Sequence, residues 1–181
     1  LLESGRIKSV SAEHPIDLPA VTIEIDCRGK HITPGLIDCH SHTGISRGVN
    51  EGGQAVTAEV RIEDVTDPDA SAWYRELAGG ITTVNSLHGS ANAIGGQNCI
   101  NKNRWGAIRP DDLHFNEAPA GIKFALGENP RGANSSGERN ANPRYPQTRL
   151  GVEALIRDRF TAARAYAAAF EDPRFPEVRM E

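Results

Sequence analysis

Two histidines one residue apart close a short apolar segment, and this arrangement constrains the chain more than any other feature. The segment Leu36-Ile37-Asp38-Cys39-His40 is entered through Thr33-Pro34-Gly35 and continues into Ser41-His42. Pro-Gly marks a turn, and the apolar run behind it reads as a buried strand. Side chains at i and i+2 of a strand point to one face, so His40 and His42 converge on a common point. Neutral imidazole is the commonest side-chain ligand for zinc and similar ions, which makes the pair half of a metal site that needs further ligands from elsewhere. An isolated H-x-H is more often two surface or core histidines. Its place at the C-terminal end of a buried strand reverses that reading. Asp38 shares the parity and lies below the pair, either as an acceptor behind a ligand or as a fixed internal hydrogen bond.

The rest of the chain sets this strand in a recognisable order. From Leu1 to His31 the pattern is strand-like, with a turn at Ser4-Gly5 and with Val21, Ile23 and Ile25 alternating with Thr22, Glu24 and Asp26. Beyond a glycine-rich loop through Gly53 and an acidic stretch from Glu59 to Asp69, helical spacing over Ala72 to Leu77 stops at Gly79-Gly80. Ile81 to Leu87 is β-branched and reads as a second buried strand, Gly89 to Gly96 as a loop, and Cys99 to Asn103 as a third strand. Pro110-Asp111-Asp112 starts a predicted helix toward Ala118, and Ile122 to Leu126 reads as a fourth strand. Residues 127–147 read as a loop. A long helix follows from Thr148, with Val152, Leu155, Ile156, Phe160, Ala163, Ala167 and Phe170 on one stripe, ending by Asp172. The expectation is an α/β domain over 34–181 behind part of a small β module over 1–33.

Composition removes other classes. Twenty basic against 24 acidic residues give a net charge of −4 with the signs interspersed, so there is no basic footprint for nucleic acid or an anionic membrane. No apolar run reaches the roughly 20 residues needed to span a bilayer. Cys27, Cys39 and Cys99 show no C-x-x-C spacing, which argues against a disulfide scaffold or a four-thiolate zinc site; each reads as a small buried apolar residue in place of a reactive thiol. The cytoplasm is the favoured compartment, with a secreted or periplasmic location kept open because the chain starts at Leu1 instead of Met.

The run from Gly29 to His42, GKHITPGLIDCHSH, resembles the signature of the amidohydrolase superfamily. GRIKSV at Gly5 to Val10, GITTVNSLHGSANAIGG at Gly80 to Gly96, GIKFALGENPR at Gly121 to Arg131 and RYPQTRLGVEALIRDRF at Arg144 to Phe160 are similar to the same superfamily, nearest its imidazolonepropionase-related members. The resemblance implies that the chain leaves an N-terminal β-sandwich and enters a (β/α)8 TIM-type barrel. It implies that a divalent metal, zinc first, in one or two ions, activates a water to hydrolyse C–N bonds other than peptide bonds: an amide, cyclic amide or amidine of a small molecule. A full barrel takes roughly 250 residues, more than remain here from Leu36. The chain is therefore expected to be an N-terminal fragment that alone is inactive and aggregates, dimerises or stays partly molten, with the whole enzyme a homo-oligomer and the general-base aspartate beyond Glu181.

Carried over residue by residue, the resemblance makes His40 and His42 the first metal ligands and puts Lys123 at the position of a lysine that carbamylation converts into an anionic bridge between two metals. A pairing or snorkelling lysine is the other reading of Lys123, and Lys102 is the second lysine to consider. If Ile122, Phe124 and Leu126 pack outward, Lys123 and Ala125 face inward. Glu128 is an alternative carboxylate, though Asn129-Pro130 suggests a loop. His88 ends the second strand facing the mouth and Ser90 and Asn92 lie on the loop after it, all placed to touch substrate, while His14, His31 and His114 read as solvated or structural. A rival class is a non-catalytic barrel relative that binds a ligand or partner without turnover. A stand-alone β/α binding module with chance histidines is a third reading, disfavoured by the five resembling segments.

Overall fold

The computed structural model describes residues 1–13, 18–134, 145–171 and 174. Two compact units emerge, Leu1–Pro34 and Gly35–Glu181. His14 and the expected helix end at Asp172 lie outside the described residues.

The first unit holds a minimal hairpin, β1 (Leu2–Glu3) and β2 (Arg6–Ile7), paired antiparallel through Leu2↔Ile7 and Glu3↔Arg6. Ser4 and Gly5 turn the chain with φ of 50° and 73°, as the Ser-Gly pair predicted. The strand expected over Val21–Ile25 is not formed. All three apolar residues of that alternation are exposed, because nothing among the described residues pairs with or covers them. Alternation specifies a face, and without a partner ladder or an opposing layer it does not hold a strand.

The second unit is a mixed α/β assembly. β3 (Leu36–Ser41) runs parallel to β4 (Ile81–Ser86), and α1 (Ser71–Ala78) connects them, the expected strand–helix–strand unit. Gly79 and Gly80 end α1, Gly80 at φ 88°, and the Gly80 carbonyl then accepts the Leu36 N–H at 2.9 Å, joining the start of β3 to the start of β4. β5 (Ile94–Gln97) falls where the glycines suggested only loop. Its glycines allow close packing: a Cβ on Gly95 would sit 2.7 Å from His88 Nδ1, and one on Gly96 would sit 2.6 Å from the Val60 carbonyl.

β6 (Cys99–Lys102) pairs with β4 antiparallel, and β7 (Ile122–Phe124) pairs antiparallel with β5. Among the described residues the three-stranded sheet therefore runs β3-β4-β6, with one parallel and one antiparallel ladder. The helix expected from Pro110 toward Ala118 is a single 3-10 turn, Pro110–Asp112. Asp112 accepts the Arg109 N–H, but the Phe115 N–H then bonds to the Ile100 carbonyl at 2.8 Å, and this sheet bond draws the chain out of the helix.

The loop expected over 127–147 contains α2 (Glu128–Asn134). Glu128 opens that helix and reaches Arg149 at 2.8 Å in α3 (Arg149–Glu171). The stripe of α3 is buried only in its first turns, at Val152 and Leu155; Phe160 and Phe170 are exposed, and Phe160 stacks on Phe124. No described helix is long and apolar enough to cross a membrane.

The core around the parallel pair is Trp73, Val84 and Leu113, each fully buried. Trp73 Nε1 donates to the Asp67 carbonyl at 2.7 Å, and its ring lies over Gly44. An added Cβ on Gly44 would fall 2.0 Å from Trp73 Cζ2, and the φ of 64° there is itself strained for any other residue. Gly44→Ala is expected to cost about 1–3 kcal/mol in a denaturant titration, from overpacking and the left-handed backbone together.

Candidate metal centre

The site grows from an irregular strand end. The β3–β4 register breaks between Asp38 and Ser41, and within the break the His40 N–H bonds to Asp38 Oδ1 at 3.0 Å. Asp38 thus supplies a local, exposed bond to the strand's own backbone. Such breaks re-aim side chains. Ser41 turns inward and is buried while His40 and His42 open on the other face, their ring centroids 5.4 Å apart and their planes at 88°.

Each imidazole is then fixed differently. His42 Nδ1 lies 2.8 Å from the Leu87 carbonyl, just past the end of β4. A carbonyl only accepts, so Nδ1 carries the proton and Nε2 keeps its lone pair for a ligand. His40 Nε2 lies 3.4 Å from Lys123 Nζ. Lys123 and Ala125 are buried while Ile122 and Leu126 are exposed, so the lysine faces inward as its alternation with them predicted. Its amine forms no ion pair among the described residues. Burial holds the Lys123 amine below the usual lysine range, and the Lys123 charge is the largest influence holding His40 below the usual histidine range. Burial and His42 act on His40 in the same direction, and Asp38 opposes them.

A clamp beneath the histidines escaped sequence reasoning. Ser41 Oγ donates to Glu76 Oε1 at 3.3 Å, Thr43 Oγ1 bonds to the same oxygen, and the Thr43 N–H returns to Ser41 Oγ. Glu76 of α1 therefore holds both residues that flank His42. One signal was available, since a glutamate in the last turn of a helix opposes the macrodipole and so hints at a tertiary role.

The remaining candidates sit elsewhere. His88 is 2% exposed; its Nε2 accepts the Glu51 N–H at 2.8 Å and its Nδ1 donates to the Gly89 carbonyl at 2.9 Å. Asn92, fully buried, donates from Nδ2 to the Glu51 carbonyl and to Thr57 Oγ1, each at 2.7 Å. Both side chains bond to the 51–57 loop. Ser90 is half-buried. Lys102 bonds to Thr83 Oγ1 and lies 4.2 Å above the Phe115 ring, while Glu128 pairs with Arg131 and Arg149. Neither joins the histidines.

This fold recurs in a solved structure. A crystal structure of an amidohydrolase from Thermotoga maritima superposes with a TM-score of 0.80 at 36% identity, over 94% of this chain and 44% of that one. The chain is related to the amidohydrolase superfamily. An imidazolonepropionase of Vibrio cholerae is 38% identical over 86 residues, covering 48% of this chain and 19% of that protein. The amidohydrolase tasK of Hapsidospora irregularis is 32% identical over 115 residues, 59% of this chain and 12% of that protein. No family model matches. This amidohydrolase relative thus spans less than half of the Thermotoga chain and aligns with a fifth or less of these two named relatives.

The coupling of His40 to Lys123 has a direct readout. In metal-free protein the His40 ring is expected to titrate below the usual histidine range by NMR, and Lys123→Ala should move its midpoint upward by removing the largest opposing charge. An unmoved midpoint would mean that the amine does not face the ring.

Proposed function

We propose that the chain carries the entrance strands of a metal-dependent hydrolase acting on C–N bonds other than peptide bonds, with a small amide, cyclic amide or amidine as substrate. The relatives' names support hydrolysis of C–N bonds in general. The observation that carries the finer reading is the approach of the buried Lys123 amine to His40, beside the carbonyl-clamped His42. The donor set fits a divalent cation of the zinc class: two neutral imidazole nitrogens and a third group that can become anionic. A bound cation would supply a water of lowered pKa and polarise the substrate carbonyl.

The chain's own residues do the positioning. Leu87 fixes the His42 tautomer, Glu76 fixes the backbone on either side of it through Ser41 and Thr43, and Asp38 fixes the His40 backbone. Lys123 is the third ligand in this reading. Its neutral amine adds to carbon dioxide, forming one N–C bond and releasing one proton, to give a carbamate oxygen donor. A buried amine depressed by its surroundings is suited to that reaction. The strands are read as the start of a (β/α)8 barrel behind part of a β-sandwich. The whole enzyme is proposed to be a homo-oligomer.

The test is metal content with turnover. The whole enzyme loaded with zinc is expected to hold at least one ion that His40→Ala/His42→Ala removes and to hydrolyse members of a panel of cyclic amides, both abolished by chelator. Lys123→Ala should lower the stoichiometry if the site is dinuclear. Unchanged metal content would reduce it to a mononuclear centre, and absence of stoichiometric metal in the wild type would overturn the hydrolase reading.

A further inference from the structure

A second group of donors lies apart from these residues and shares none of them. Glu63 stands in the 3-10 turn Ile62–Val65, Cys99 opens β6, and His114 follows the turn Pro110–Asp112. One donor atom from each falls within 4.8 Å of the other two. A tetrahedral zinc-class ion with bonds of about 2.0–2.3 Å places its ligands about 3.5 Å apart, so closing the group needs side-chain shifts of about an ångström.

Three observations say that the group is built to receive something. The His114 Nε2 atom is buried and finds no hydrogen-bond partner among the described residues, a costly state for an imidazole nitrogen. Its other nitrogen, Nδ1, faces the Asp111 carboxylate at 3.9 Å, which favours the proton on Nδ1 and leaves the orphaned Nε2 with its lone pair. A cavity of about 140 Å³ opens against Glu63, Cys99 and His114, room for an ion and the waters that would complete its shell. Burial, with Glu63 adding to it, pushes the Cys99 thiol up to about 11, so without a cation the sulfur stays protonated beside the carboxylate. The Glu63 carboxylate also pairs with Arg61 at 2.7 Å, an exposed contact that a cation would compete with.

We propose that Glu63, Cys99 and His114 form a second site, for a zinc-class divalent cation, that fastens three separate segments of the fold to one another. A thiolate with an imidazole selects borderline-soft ions over magnesium or calcium. Binding displaces the thiol proton to solvent and makes one metal–sulfur bond, with Nε2 and a carboxylate oxygen as the other protein ligands. Because the ligands come from the 62–65 turn, the first residue of β6 and the segment after Asp112, an occupied site ties the edge of the β3-β4-β6 sheet to both turns.

Cobalt(II) separates this site from the histidine pair at the end of β3. Cobalt bound through Cys99 is expected to give a near-ultraviolet thiolate-to-metal charge-transfer band in the whole chain, retained in a His40→Ala/His42→Ala variant and in Cys39→Ser. Cys99→Ser should abolish the band. His114→Ala, which leaves every cysteine in place, should weaken cobalt binding at least about tenfold. Saturating zinc should raise the melting midpoint of the His40→Ala/His42→Ala variant by about 5–10 °C. The proposal is overturned if folded wild type gives no band, if the band survives Cys99→Ser or disappears with Cys39→Ser, if His114→Ala binds cobalt unchanged, or if zinc leaves that midpoint where it was.

Discussion

His42→Ala is expected to weaken divalent-metal binding at the β3 strand end by more than about a hundredfold, measured by equilibrium dialysis. Removing a group behind a ligand costs 10–100-fold in affinity, and His42 is proposed as a ligand already held in one tautomer by the Leu87 carbonyl. His40→Ala should have a similar effect on metal, and it also takes away the group facing the Lys123 amine. His88→Ala makes the contrast. Its ring bonds to the 51 and 89 backbone, so that variant should lose stability and leave metal affinity within a few-fold. Equal loss from all three would mean that the site collapses with the fold.

The largest expected effect on stability is at Trp73. Its side chain is fully buried between Val84 and Leu113 and donates to the Asp67 carbonyl. Trp73→Ala should cost about 3–5 kcal/mol by denaturant unfolding, a large part of the 5–15 kcal/mol that a domain has. Trp73→Phe keeps most of the volume but loses the donor, and should cost about 1–2 kcal/mol. A loss under about 1 kcal/mol for the alanine variant would show that Trp73 does not organise the packing of α1 on β4.

What could be read beforehand was what lies within one element. The parity of His40 with His42 and of Lys123 with Ala125 follows from the two-residue period of a strand, and ITTVNS declares a strand through its β-branched residues. Gly79-Gly80 ends α1 because the backbone there needs glycine. What could not be read depends on partners distant in sequence. Nothing in CINK says that it will lie antiparallel to β4, and IGGQ hides a strand because its glycines serve the neighbours' side chains, not their own. His88 and Asn92 carry polar groups suited to a ligand and are consumed by the 51–57 loop, a fact visible only once that loop is in place. In the same way, the Leu87 carbonyl that sets the His42 tautomer belongs to the backbone, which has no signature in sequence.

β3 stands at the margin of its sheet, bonded among the described residues on one side to β4, and it carries His40 with His42 just past its end. Its outer side, with Leu36 and Ile37 exposed, has no ladder among the described residues. The observed affinity of a site on such a strand is the intrinsic affinity scaled by the fraction of time the strand is ordered. Anything that docks along this free margin would tighten cation binding without touching a ligand, and a bound cation would in turn strengthen docking by the same factor.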